Sequence, residues 1–279
     1  MLFAPLLALM LGLPMLQAAP APPNTERTSP RQALPSPALV TVRDPSPTSP
    51  PRAFPNLEGR YAQKVVTTTR ARVMGIGRVD TLTTGYLLAD ITQDGPRLEL
   101  ESTVCHAELS GSNVVRTLIP RAFINSLPTR TRQGSLSPLD QGWQLHVERD
   151  WDIRGVRLRD PANEALPDDP DDPRIVDQDG DGHPGLTVRV EGLVDGEVRV
   201  IQRGWDAYTF VVEDPAHLRG QVDWNSEQNV IDATSRLLRG GPESRPLRGK
   251  DHNRVELKRV APSTTCATLR ANPGAIFGD

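Results

Sequence analysis

Between about residues 56 and 260 the apolar side chains of this sequence recur at every second position, in short runs separated by turn residues. Trp143, Leu145 and Val147 alternate with polar residues in "GWQLHVERDW". Leu186, Val188 and Val190, then Val198 and Val200, do the same in "LTVRVEGLVDGEVRV", and Val255 and Leu257 in "NRVELKRV". Period two is the repeat of an extended chain, whose successive side chains point to opposite faces. Such a chain forms antiparallel sheet with one buried face and excludes a helical bundle. "RYAQKVVTTTRARV" and "DTLTTGYLLADI" add β-branched runs suited to strands. Asp94-Gly95 and Asp195-Gly196 each read as a type I′ hairpin turn. "VVRTLIPRAFINSL" reads as a further strand, with Pro120 confining it to an edge or a bulge.

One segment, "SEQNVIDATSRLLRGG", fits both periods. It reads as a helix near 226–238 capped by Ser226, with Val230, Thr234 and Leu237 on one stripe and Gly240 at the stop, or as a continuation of the strand before it. Taken together, the runs predict an all-β fold, an antiparallel barrel or sandwich of about 8–10 strands.

The ends differ in composition from this centre. Residues 1–19 read as a signal peptide, because the apolar run from Leu2 to Leu16 is too short to span a membrane comfortably and small residues follow it. Residues 20–55 are rich in Pro, Ser and Thr and read as a disordered tether. A single β domain is expected over 56–270 and a C-terminal tail over 271–279. The implied location is secreted or periplasmic. Two cysteines, Cys105 and Cys266, are expected to pair in such an oxidising compartment. Cys105 and its neighbour His106 point to opposite faces of a strand, which argues against a thiolate–imidazole pair.

"DQDGDGHPG", Asp177 to Gly185, is the most specific motif. Oxygen ligands at positions 1, 3 and 5 of a loop, with glycine at 6, suit a hard cation that takes six to eight oxygens. Asp177, Asp179, Asp181 and Gly182 hold those positions, and His183 would offer its backbone carbonyl at position 7. The run resembles the DxDxDG calcium loop of EF-hands, dockerins and thrombospondin type 3 repeats over about a dozen residues. That resemblance implies calcium as cofactor. Val188 stands where the EF-hand has a bidentate carboxylate, and Pro167, Pro170 and Pro173 exclude an entering helix. The loop therefore reads as a structural calcium brace on a β scaffold. Its missing ligand is expected from Asp168–Asp172 or from Asp150 or Asp152.

The formal net charge of −3 and pI near 6.0 give no basic excess for nucleic acid. Of 32 basic residues only Lys64, Lys250 and Lys258 are lysines, leaving 29 arginines, which favour fixed hydrogen-bond forks. The sequence contains no nucleophile elbow, zinc-protease helix or phosphate loop, and its five histidines are scattered. The expectation is a non-enzymatic, monomeric exported domain that binds a protein or small molecule and is braced by calcium. Two alternatives stand beside it. One is a lipocalin-like carrier of an apolar molecule. "NLEGRYAQ" resembles the Gly-x-Trp entry of lipocalin-like barrels, with Tyr61 in the Trp place, and a dry pocket lined by Tyr61, Tyr86 and tryptophans would follow. The other is an envelope hydrolase with two carboxylates facing each other in a cleft.

Overall fold

The computed structural model describes residues 53–278, apart from 74–76, 112–114, 193–194 and 240–243. The expected signal peptide and most of the expected tether therefore lie outside the described residues. Eleven antiparallel strands form one sheet: β1 (Gly59–Val73), β2 (Gly77–Asp94), β3 (Arg97–Ser110), β4 (Val115–Leu118), β5 (Arg130–Pro138), β6 (Trp143–Arg154), β7 (Leu186–Gly192), β8 (Gly196–Asp214), β9 (His217–Ala233), β10 (Ser244–Pro246) and β11 (Arg254–Arg259). Eight of them close a ring in the order β8, β6, β5, β3, β2, β1, β11, β9 and back to β8. The fold is a barrel, which leaves its ring strands no free edge.

Closure rests on the long β8–β9 hairpin. β9 pairs with β8 from Asp214↔His217 to Val198↔Ala233, and its first residues also pair with β11, where Leu218 faces Leu257. β7 continues the line of β6 along β8, and β4 pairs with β7 outside the ring.

The alternating residues behave as their period requires. Leu145, Val147, Leu186, Val188, Val190, Val198, Val200, Val255 and Leu257 are all buried. Three local expectations are corrected. The β2–β3 turn is Gly95-Pro96, not Asp94-Gly95, because Asp94 still pairs with Arg97. Gly95 takes φ +56°, and proline, locked near −65°, can only follow it, which is the type II′ arrangement. The strand expected around Pro120 is present before it as β4, at the edge of the sheet, but Pro120 ends it and starts a short helix, α1 (Arg121–Ser126), where the sequence suggested that strand continued. Residues 226–233 are strand, because all but the bulged Ile231 find a cross-strand partner on β8, and among the described residues a single 3-10 turn at Arg236–Leu238, capped by Ser235, follows. A continuous strand partner outweighs a weak helical stripe.

Outside the barrel, two short helices, α2 (Cys266–Ala271) and α3 (Pro273–Phe277), pack Leu269 and Phe277 against Ala62, Tyr86 and Leu88. The residues expected as a tail thus contribute Phe277 to a buried cluster. The sulfurs of Cys105 and Cys266 lie at bonding distance in that cluster, with Cα atoms 4.9 Å apart. Cys105 is the extra residue of a bulge, where Tyr86 pairs with His106 and Leu87 with Val104. At the other end of the described chain, Phe54 packs tilted against Trp143 with ring centroids 4.9 Å apart. No helix among the described residues is long and apolar enough to cross a membrane.

Candidate functional site: a tiered barrel interior and an acidic loop

The barrel interior is stacked in three tiers. The first is a solid plug, in which Tyr61, Leu98, Leu100, Leu145, Phe210 and Leu257 are at most 2% exposed. The second is a belt of charge. Arg130 and Arg132 alternate inward on β5, Asp150, Asp152 and Arg154 on β6, and Asp206 on β8. The third is a cavity of about 280 Å³, bounded by the belt and walled by Leu87, Val104, Ala107, Phe123, Val188 and Val200 among others. α1 forms one side of it through Phe123 and Ile124.

The belt is held by guanidinium forks. Arg132, 4% exposed along its side chain, donates to Asp206 Oδ1 at 2.6 Å and to the carbonyls of Glu148 and Asp206, and its guanidinium lies 4.4 Å from the centre of the Tyr208 ring. Arg130 donates to Asp150 Oδ2 at 2.6 Å and sits 3.8 Å from Asp152. Arg154 donates to Asp152 and, at 3.2 Å, to Gln202. Burial alone would raise the Asp152 carboxyl, but Arg154 and Arg130 outweigh it and hold that carboxyl below its ordinary value. Burial also pushes the Tyr208 phenol above its usual range, reinforced by Asp206, so it stays protonated.

The depressed Asp152 value carries a sign. Its contribution to stability is present above the ordinary value of 3.8 and is lost as pH falls through the lower folded value. Asp152→Asn is expected to cost about 1.5–3 kcal/mol at neutral pH, the worth of a hydrogen bond to a charged group. It should also flatten the fall in stability below about pH 4. Urea midpoints measured against pH check both. An unchanged acid limb would rule out Asp152 as its source.

The acidic loop closes the long connection between β6 and β7. Asp177, Asp179 and Asp181 bring carboxylate oxygens within 4.8 Å of one another, close enough to hold one metal ion. Asp177 does so while accepting backbone N–H groups from Gly180, Asp181 and Gly182 at 2.8–3.2 Å. That wrap needs Gly182 at φ +86°, a conformation costly for other residues. Thr187, which the sequence did not single out, completes the frame. Its N–H donates to Asp179 Oδ2 at 3.0 Å and its hydroxyl to Asp181 Oδ2 at 2.5 Å. The remaining oxygen, Asp179 Oδ1, is buried with no hydrogen-bond partner. Burial, then Asp181 and Asp177, raise the Asp179 carboxyl. An orphaned carboxylate oxygen among like charges fits a hard cation.

The imidazole of His183 does not join these carboxylates, and its backbone N–H donates to Asp181. Four of the other expected ligands are engaged elsewhere. Asp168 accepts from Asn229, Asp172 is clamped by Arg174, and Asp150 and Asp152 belong to the belt. Each of these carboxylates has met an arginine or an amide first. Arg174 donates through several N–H groups and holds the Asp172 carboxyl down to about 2.

Comparisons with protein-family models, with curated proteins and with solved structures find no match. The calcium-loop likeness is thus confined to the acidic loop. Neither tyrosine expected in a carrier pocket lines the cavity. Tyr61 is in the plug, its hydroxyl donating to the Pro215 carbonyl, and Tyr86 packs outside against Phe277. Trp224 does line the cavity. No local signal marked Arg130, Arg132 or Arg154. The run that carries Arg130 and Arg132, "RTRQGSLSP", has the same alternation that an exposed strand would have.

The loop and the cavity share parts. Gln178, inside the loop, accepts from Gly155 N–H at 2.6 Å and donates to the carbonyl of Ser126, the last residue of α1. Thr187 directly precedes Val188, a wall residue.

Proposed function

We propose that this chain is an exported, non-catalytic binding protein whose barrel holds a small, largely apolar molecule and whose acidic loop takes calcium as a brace. The cavity carries the reading. Ligand sites are concave, mostly apolar and furnished with a few placed polar groups, in volumes from about 300 Å³ upward. A space of about 280 Å³ with an apolar wall and a charged floor is of that kind. The closely spaced cysteine pair supports an oxidising, exported location. Against a hydrolase, the two cavity-lining carboxylates are each clamped by arginine, and Asp152 is kept ionised, so it is not poised as a general acid.

Calcium would be held by Asp177, Asp179 and Asp181. There it would supply charge compensation and fix the β6–β7 connection, and through Gln178 and Thr187 it would steady α1 and β7 at the cavity wall.

The test is binding of naphthalene, a rigid apolar probe of about this size, followed by its fluorescence. One molecule per chain is expected to bind saturably. Ala107→Phe, which places a ring in the cavity, should weaken it at least tenfold, about 1.4 kcal/mol. Binding that is absent, or indifferent to Ala107→Phe, would sink the carrier reading.

A further inference from the structure

The outer face of the barrel wall carries, at the cavity end, positive charge that the protein does not neutralise. Thr69 on β1 lines the cavity, so alternation turns Arg70 and Arg72 to the outside. Register sets Asp80 of β2 opposite Arg70, Arg78 of β2 opposite Arg72, and Arg245 of β10 opposite Arg70. Residues directly opposite share a face of the sheet. Four arginines and one aspartate therefore gather on three neighbouring strands, an excess of three positive charges on a chain whose net charge is −3. The aspartate is already taken, because Arg70 donates to both of its oxygens at 2.5 and 2.6 Å. Arg72, Arg78 and Arg245 are exposed, and their guanidinium groups have no partner among the described residues.

Like charges set directly opposite destabilise a sheet. Arg72 facing Arg78 thus weakens the free protein with no structural return. An anion between them supplies the missing partner, and guanidinium forks match phosphate oxygens two at a time.

Position decides which anion. β1 begins in the plug with Tyr61, reaches the cavity at Thr69 and ends beyond it with the arginines. Pro246, next to Arg245, also lines the cavity. β9 likewise runs from Leu218 in the plug to Ala233, and the 3-10 turn that follows leaves Leu237 41% exposed between Arg236 and Arg239. A small apolar cargo at this end exchanges more readily with an apolar phase than with water. A membrane surface offers phosphates and an apolar phase together, whereas a soluble polyanion offers only the charge.

Resting on the carrier reading for the choice of a membrane, we infer that the face formed by Arg72, Arg78 and Arg245 docks the cavity end of the barrel on an anionic lipid surface. Lipid phosphates occupy the unpaired guanidinium forks.

Co-sedimentation of residues 20–279, which keep every described residue, with lipid vesicles is the test. Vesicles of phosphatidylcholine and phosphatidylglycerol in equal parts are expected to bind at least tenfold more tightly than phosphatidylcholine alone. The preference should fall to about twofold or less in about 1 M salt, where the screening length is about 3 Å. The double variant Arg72→Gln, Arg78→Gln should lose most of the preference, and its melting temperature without vesicles should equal or exceed that of the parent, since a like-charge contact is gone. Arg245→Gln, which leaves the β1–β2 hairpin untouched, should lower the preference about threefold to fivefold and decides alone if the double variant does not fold. Equal binding to both vesicles, a preference unchanged in the variants, or capture by soluble dextran sulfate without vesicle binding would overturn the inference, while naphthalene binding left the carrier reading standing. A vesicle preference lost in the variants, with no naphthalene bound, would support the docking face and sink the carrier reading.

Discussion

Removing the Cys105–Cys266 cross-link by a double substitution to alanine is expected to lower the melting temperature of the domain by roughly 10–20 °C. The two cysteines are 161 residues apart, so the bond closes most of the β domain into one loop. In the chain-entropy account, a loop of that length restricts the unfolded chain by about 5 kcal/mol. At about 2–4 °C per kcal/mol for a domain of this size, the shift follows. Alanine is the right replacement because Cys105 is 2% exposed in an apolar cluster, where a serine hydroxyl would add a desolvation cost of its own. The contacts of Leu269 and Phe277 with the barrel wall would remain. Differential scanning calorimetry of the oxidised protein, the reduced protein and the double variant is the measurement. Reduction and substitution should give the same shift. A shift below about 5 °C would mean that α2 and α3 hold the C-terminal segment without the bond.

Calcium is expected to raise the melting temperature of the same domain by roughly 5–11 °C at a calcium concentration of 100 times Kd. A ligand that binds only the folded state at that ratio stabilises it by about 2.7 kcal/mol, and the temperature range follows from the same conversion. For an extracellular type of site, with Kd of roughly 10⁻⁴ M, this means about 10 mM calcium. Asp179→Ala should abolish the gain at the cost of a single backbone hydrogen bond, that from Thr187, because Asp179 carries the one carboxylate oxygen in the cluster without a protein partner. Asp177→Ala is the wrong variant for this purpose. Its carboxylate also ties three backbone N–H groups, and removing it would unfold the loop with or without metal. Magnesium should have a smaller effect, since it gives up its waters reluctantly. Identical melting curves with calcium and with a chelator would reduce the three carboxylates to a hydrogen-bonded turn.

The candidate site was visible in the sequence only where its spacing is local. Asp177, Asp179, Asp181 and Gly182 lie within six residues, so their convergence needs nothing but a turn. Thr187 and Gln178 contribute through bonds to that turn and to α1, and a threonine or glutamine in such a stretch carries no mark of its role. The belt was hidden for a different reason. Period two reports that a strand has two faces, not which face is inside when both are polar. "RTRQGSLSP" points Arg132 inward, 6% exposed, with the alternation that a surface strand would show. The arginine-rich composition suggested fixed forks, but not where they would gather.

The sequence by itself determined the all-β class, the buried faces of β6, β7, β8 and β11, the spacing of the acidic loop and the cysteines available to pair. These follow from side-chain alternation, turn chemistry and composition, which act between residues close along the chain. Tertiary structure alone decided that the sheet closes into a ring, that residues 226–233 extend rather than coil, and that charge from β5, β6 and β8 meets beneath a cavity. Closure depends on pairings such as Leu218 with Leu257 and Val198 with Ala233, between residues far apart in sequence. The cavity exists because apolar side chains fill one end of the ring completely, while at the other end Ala107, Gly85 and Gly204 leave space that no neighbour along the chain could reveal.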